Sequence, residues 1–98
     1  MYVRTIKHSV RHGKLDEFDR LWQEFWATPQ AQAAFVGTTV YWGVDRAANT
    51  AVSISVWDEH PDEIPSYTAL VREFRPRAHE YFDSSPTVDT YEVVEQFR

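Results

Sequence analysis

Residues 2–11 alternate between two sides: Tyr2, Arg4, Ile6, His8 and Val10 on one, Val3, Thr5, Lys7 and Ser9 on the other. This period of two predicts a strand, although neither side is purely apolar. The turn after it holds Gly13, which can take a positive φ. From residue 15 to 27 the period lengthens. Leu15, Phe18, Leu21, Trp22 and Phe25 recur at three- and four-residue steps, one stripe of a helix that Trp26 widens. Asp16, Glu17 and Asp19 sit in its first turns, where negative charge suits the helix dipole. Thr28-Pro29 either ends this helix or restarts a short one, with Thr28 as cap and Pro29 at the first position.

Residues 36–45 are rich in β-formers and predict a second strand. A polar hairpin loop, DRAANT, leads to a third strand over residues 51–57. The next helix starts near Pro61 or Pro65, since both prolines fit a first turn better than an interior. Its stripe is Tyr67, Leu70, Val71, Phe74, Ala78, Tyr81 and Phe82, with a kink or break expected at Pro76. Residues 87–97 complete the chain as a last strand. The order βαββαβ predicts a ferredoxin-like α+β fold, a four-stranded antiparallel sheet with both helices on one face. The other face carries enough apolar residues to be expected to pair with a second copy.

The third strand is the centre of the functional reading. Ser53 and Ser55 alternate with Val52, Ile54 and Val56, Trp57 closes the strand, and Tyr67 lies early in the next helix. A strand face of small residues beside two aromatics leaves room for a flat ligand.

Composition sharpens this picture. The 98 residues make one domain, 1–98. Aromatic residues are 15% of the chain, more rings than so small a core needs, so some belong at an interface or around a pocket. Net charge is −5, and the only basic cluster is Arg72, Arg75 and Arg77, so nucleic acid is not an expected partner. The absence of cysteine excludes disulfides and thiolate chemistry. No apolar run approaches the ~18 residues of a membrane span, and the chain enters a strand pattern at once. The expectation is a soluble, cytoplasmic protein. There is no nucleotide-binding motif. His8 with His12, and His60 near Asp58 and Asp62, lack the spacing of a metal site, and no metal is expected.

Four stretches carry a family resemblance: the turn VRHGKLDEF from Val10, the FVG entry to the second strand from Phe35, Trp57 with its acidic turn Asp58-Glu59, and SPTVDTYEVV from Ser85. In this order and spacing they resemble the antibiotic biosynthesis monooxygenase-like group of dimeric α+β barrel proteins, over nearly the whole chain. The resemblance implies a homodimer whose sheets face each other, with one pocket per subunit between sheet and helices. It also implies a choice of activities. One branch of that group oxidises flat aromatic or polyketide-type substrates with dioxygen and no cofactor. There the strand-end tryptophan corresponds to Trp57, and the helix tyrosine and arginine correspond approximately to Tyr67 and Arg77. Ser53 stands where that branch has an asparagine. A second branch degrades haem, using an asparagine on the first strand and an aromatic and a histidine on the second helix. Here the only asparagine is Asn49, in the hairpin loop, and His79 lies about one turn late.

Acid–base chemistry at neutral pH points to histidine. His79 flanks the helix stripe on the side of Arg72 and Arg75, and His8 shares a strand face with Arg4. The candidate catalytic residues are therefore His79, Tyr67, Trp57 and His8. The candidate substrate contacts are Arg4, Trp22, Trp26, Ser53, Arg72 and Arg77. Guanidinium groups would stabilise a phenolate or enolate, and tryptophans would wall the cavity. Each has a plainer alternative: Trp57, Trp22 and Trp26 as core, His79 as a solvated helix residue, Arg4 and His8 as rim groups. The leading expectation is a cofactor-independent monooxygenase, or a related cyclase or isomerase, acting on a flat hydroxylated aromatic. The alternatives are a haem-degrading protein and a non-enzymatic dimeric binding module. A chain with no cavity between sheet and helices would favour the last.

Overall fold

Strand register decides how the layers form. A computed structural model describes the whole chain, Met1–Arg98. Strands β1 (Tyr2–Ser9), β2 (Thr39–Asp45), β3 (Thr50–Trp57) and β4 (Thr87–Glu92) make one antiparallel sheet in the order β2-β3-β1-β4. Helices α1 (Leu15–Trp26), α2 (Pro29–Ala34) and α3 (Pro65–Ala78) cover one face, with short 3-10 turns at Pro61–Glu63 and His79–Tyr81. This is the ferredoxin-like arrangement expected from the element order.

Two cross-strand rows on the helix side matter for function. One runs Trp42–Ser53–Ile6–Val88 and the other Val40–Ser55–Arg4–Thr90. Each row dips at a serine between bulkier neighbours. The hydrophobic core fills around this dip, with Phe18, Phe25, Phe35, Leu70, Phe74 and Phe82 all buried. The opposite face is uncovered. Its rows Thr39–Val56–Val3–Tyr91 and Tyr41–Ile54–Thr5–Asp89 leave Tyr41 and Tyr91 about 60% exposed (64% and 59%).

Local chemistry sets the element ends. Gly13 has φ +78° in the first turn, as its sequence context predicts. The short helix α2 does form. Thr28 Oγ1 accepts from the Ala31 amide, and Pro29 takes the first helical position, where its missing N–H costs nothing. Of the kink or break expected at Pro76, the break does not occur: α3 runs through it and tightens into a 3-10 turn only at His79. Pro76 sits in the last turn and is exposed, while Phe74 and Ala78 are buried on either side of it and hold the helix to the core. The last strand also ends early, at Glu92 rather than residue 97. As an edge strand β4 pairs with β1 alone, and β1 begins at Tyr2, opposite Glu92. Beyond that pair the only ladder-like bond is from the Val93 amide to the Met1 carbonyl.

Candidate functional site

The dip in the sheet is roofed rather than filled. Ser53 and Ser55 form its floor, Trp22 and Phe25 of α1 and Leu70 and Phe74 of α3 its walls, and His8 and Phe82 one end. The resulting cavity has about 700 Å³ of atom-free space, counted to its open mouth, but only about 70 Å³ of it takes the centre of a water molecule. It is therefore a narrow slot, apolar on most sides. Trp22 is held in place by stacking on Trp42, with centroids 4.5 Å apart and planes within 14°. Trp42 is in turn fixed by its Nε1, which donates to Asp19 Oδ1 at 2.8 Å.

His8 is the polar group of this slot. It is only 5% exposed, stacks on Phe82 at 4.9 Å and meets the edges of Phe18 and Trp42 at 5.0 and 5.9 Å. Its Nδ1 is sealed from solvent and has no hydrogen-bond partner. Burial among uncharged rings disfavours the imidazolium and pulls the pKa down to about 4. At neutral pH His8 is thus a neutral imidazole with a free nitrogen. An unpaired buried polar atom is costly to fold around, so its persistence needs a reason.

A wider groove adjoins the slot between α3 and the β1–β4 edge, sharing Ile6, Tyr67, Val71, Arg75 and Val88 with it. Arg4 lies at its base, donating Nε to Thr90 Oγ1 and Nη2 to Asp62 Oδ1, both at 2.9 Å. Burial works against the Arg4 charge, but Tyr67 and Asp62 outweigh it and raise the pKa, so the guanidinium is fixed as a cation. The Tyr67 ring lies beneath it, 5.6 Å from Cζ, and is itself buried against Phe35 and Trp57.

The structure thus brings His8, Tyr67, Trp22 and Ser53 together at the slot. Arg4, Arg72 and His79 meet Tyr67 in the outer groove, with His79 exposed and His8 outside that groove. Three other candidates lie elsewhere. Trp57 is core, 2% exposed, packed on Phe35 and Tyr67, and it donates Nε1 to Ser55 Oγ at 2.7 Å. Trp26 packs on Phe35 at 4.9 Å, outside the slot lining. Arg77 faces a separate, smaller depression with Glu73 and Gln30. Asn49 is spent on the fold, donating to the Val10 and Arg11 carbonyls. Sequence reasoning left out Arg75, Ser55, Trp42 and Phe82 as site residues. Ser55 shares the alternation that singled out Ser53, and Arg75 is three residues after Arg72 and four before His79, so both were within reach of pattern alone.

Comparison with solved structures places this architecture. A protein from Bordetella bronchiseptica, provisionally described as an antibiotic biosynthesis monooxygenase, superimposes with a TM-score of 0.71 over 96% of this chain and 98% of its own, at 16% identity. The chain has the fold of the antibiotic biosynthesis monooxygenases. A second protein so described, from Caulobacter crescentus CB15, gives a TM-score of 0.70 at 12% identity, covering 96% of this chain and 90% of that one. An uncharacterized NIPSNAP domain protein from Burkholderia xenovorans gives 0.68 at 14% identity, over 96% and 95%. No family model and no curated protein matches the chain. At these identities the likeness speaks to the fold, and the activity has to be argued from the site. No helix in that fold is long and apolar enough to cross a membrane.

Proposed function

We propose that this chain is a small cofactor-independent monooxygenase that oxidises a flat hydroxylated aromatic with dioxygen. The observation that carries the reading is His8, a buried neutral imidazole at one end of an apolar slot. Nδ1 is the sealed nitrogen, so a phenolic hydroxyl entering the slot meets the other one, Nε2, and donates to it. His8 then takes the proton, and the anion it leaves favours the imidazolium that burial alone disfavours. The electron-rich phenolate gives one electron to dioxygen. The aryloxyl radical and superoxide couple at a ring carbon bearing hydrogen, forming a C–O bond. His8 returns its proton to the peroxide. Loss of the ring proton and cleavage of the O–O bond leave a quinone and one water, so phenol plus dioxygen balances quinone plus water. The apolar walls keep bulk water from the anion.

His8→Leu removes the proton acceptor and is expected to lower kcat/KM by about 100-fold, the low end for loss of a general base. Oxygen uptake and quinone absorbance with a panel of hydroxylated polycyclic aromatics measure this. Undiminished turnover in the variant would sink the mechanism.

We propose equally that two copies pair through their open sheet faces. The uncovered rows of Val3, Val56, Ile54, Tyr41 and Tyr91 support this, because a contiguous apolar face of that kind is rarely left to water. Ile54→Glu at the centre of that face should turn a dimer into a monomer in analytical ultracentrifugation. A wild-type chain that sediments as a monomer at high concentration rules the pairing out.

A further inference from the structure

The outer groove carries a charge that the chemistry at His8 does not use. Arg4, Arg72 and Arg75 line it against one carboxylate, Asp62, and that carboxylate is already engaged by Arg4. Neither Arg72 nor Arg75 forms an ion pair, although the chain has fifteen acidic residues and a net charge of −5. Two unpaired guanidiniums beside the mouth of an apolar slot, on an acidic protein, make a local anion trap.

Position separates this trap from the reacting end. Arg72 lines the groove alone, Arg75 lines both groove and slot, and His8 lines the slot alone. Along β1, Arg4 at the groove and His8 at the slot are four residues apart on the same side, a spacing of about 13 Å at the strand's rise per residue. Arg72 thus lies outside the slot in which an oxyanion at His8 would form. The guanidiniums await a second, permanent anion on the far end of an elongated ligand.

We infer that the site takes a carboxylate-bearing polycyclic aromatic, its rings in the slot against His8 and its carboxylate held in the groove by Arg72 and Arg75. The inference rests on the slot being the binding site proposed above, and it adds the ligand's polarity and length. Planar guanidinium forks match a flat carboxylate in a way that a solvated lysine would not. Val71 and Val88, shared by slot and groove, give the connecting part of the ligand an apolar path.

Fluorescence titration with anthracene-carboxylate and the uncharged anthracene-methanol tests this. The two share a ring system and differ in charge. The wild-type protein should bind the carboxylate about tenfold more tightly, a difference of about 1.4 kcal/mol. The preference should shrink as salt is added. The double variant Arg72→Gln/Arg75→Gln, altered only at exposed positions, should bind both probes with equal affinity. Equal affinities in the wild type, or a preference that survives in the double variant, overturn the carboxylate anchor. Failure of both probes to bind overturns it as well, together with the slot as a ring site. An arginine-dependent preference without oxygen uptake on hydroxylated analogues keeps the anchor and removes the oxygenase. Oxygen uptake on neutral phenols that ignores both arginines does the reverse.

Discussion

Acidification from pH 7 to pH 4 is expected to cost the protein about 3 kcal/mol through His8 alone, and the His8→Leu variant should be spared that loss. The unfolded chain protonates His8 near its ordinary value of 6.5, whereas the folded chain resists until about 4. Between those values the unfolded state holds more protons, so stability rises with pH across the window. Above it His8 is neutral in both states and contributes no pH dependence. The groups packed around the imidazole, Phe18 from α1, Trp42 from β2, Ala51 from β3 and Phe82, carry no charge that would reverse the sign. Urea unfolding midpoints of both proteins, taken in steps from pH 7 to pH 4, isolate the effect, because carboxylate titration is common to both. Parallel pH curves for wild type and variant would show that His8 titrates normally and is not sealed in the slot.

Phe18→Ala should destabilise the chain by about 3–5 kcal/mol, the range for truncating a fully buried Phe. Phe18 has no exposed surface and meets His8, Trp42 and Phe82 at 5.0, 5.5 and 5.1 Å. Truncation loses the ring's burial and leaves a void behind the slot, where three aromatic neighbours hold one another and cannot simply collapse inward. For a domain this small the loss can exceed half of its stability. Phe18→Leu, which keeps most of the volume, should cost much less and still fold. Equilibrium denaturation ranks the two. A Phe18→Ala midpoint within the scatter of surface substitutions would mean that the ring cluster is not a packing unit.

The architecture was legible because it is written in local periods. The alternation at residues 51–57 and the stripe from Leu15 to Phe25 are patterns of single elements, and they recur in the fold at nearly the same bounds. Where the reading overran, the cause was not local. Val93 to Phe97 reads as strand, but β1 offers no partner past Tyr2. Pro76 reads as a kink or a break, but burial of Phe74 and Ala78 on either side keeps the helix continuous through it. The site was harder still. Alternation put Arg4 and His8 on one side of β1 without telling which end of that side opens to a cavity. Trp57 reads as a wall beside small residues, yet its indole turns to Ser55 and the core. Trp42 and Phe82, which enclose His8, come from a distant strand and from the turn after α3, and only the folded register brings them to it.

The Trp22–Trp42 pair has an optical consequence. Two indoles at 4.5 Å and nearly parallel are close enough for their transitions to mix, so they absorb as a coupled pair. Trp22 also faces the slot. A ring sliding in beside it disturbs the coupling directly. The protein thus carries its own label-free reporter of occupancy, built from a contact that otherwise serves only to hold a wall upright.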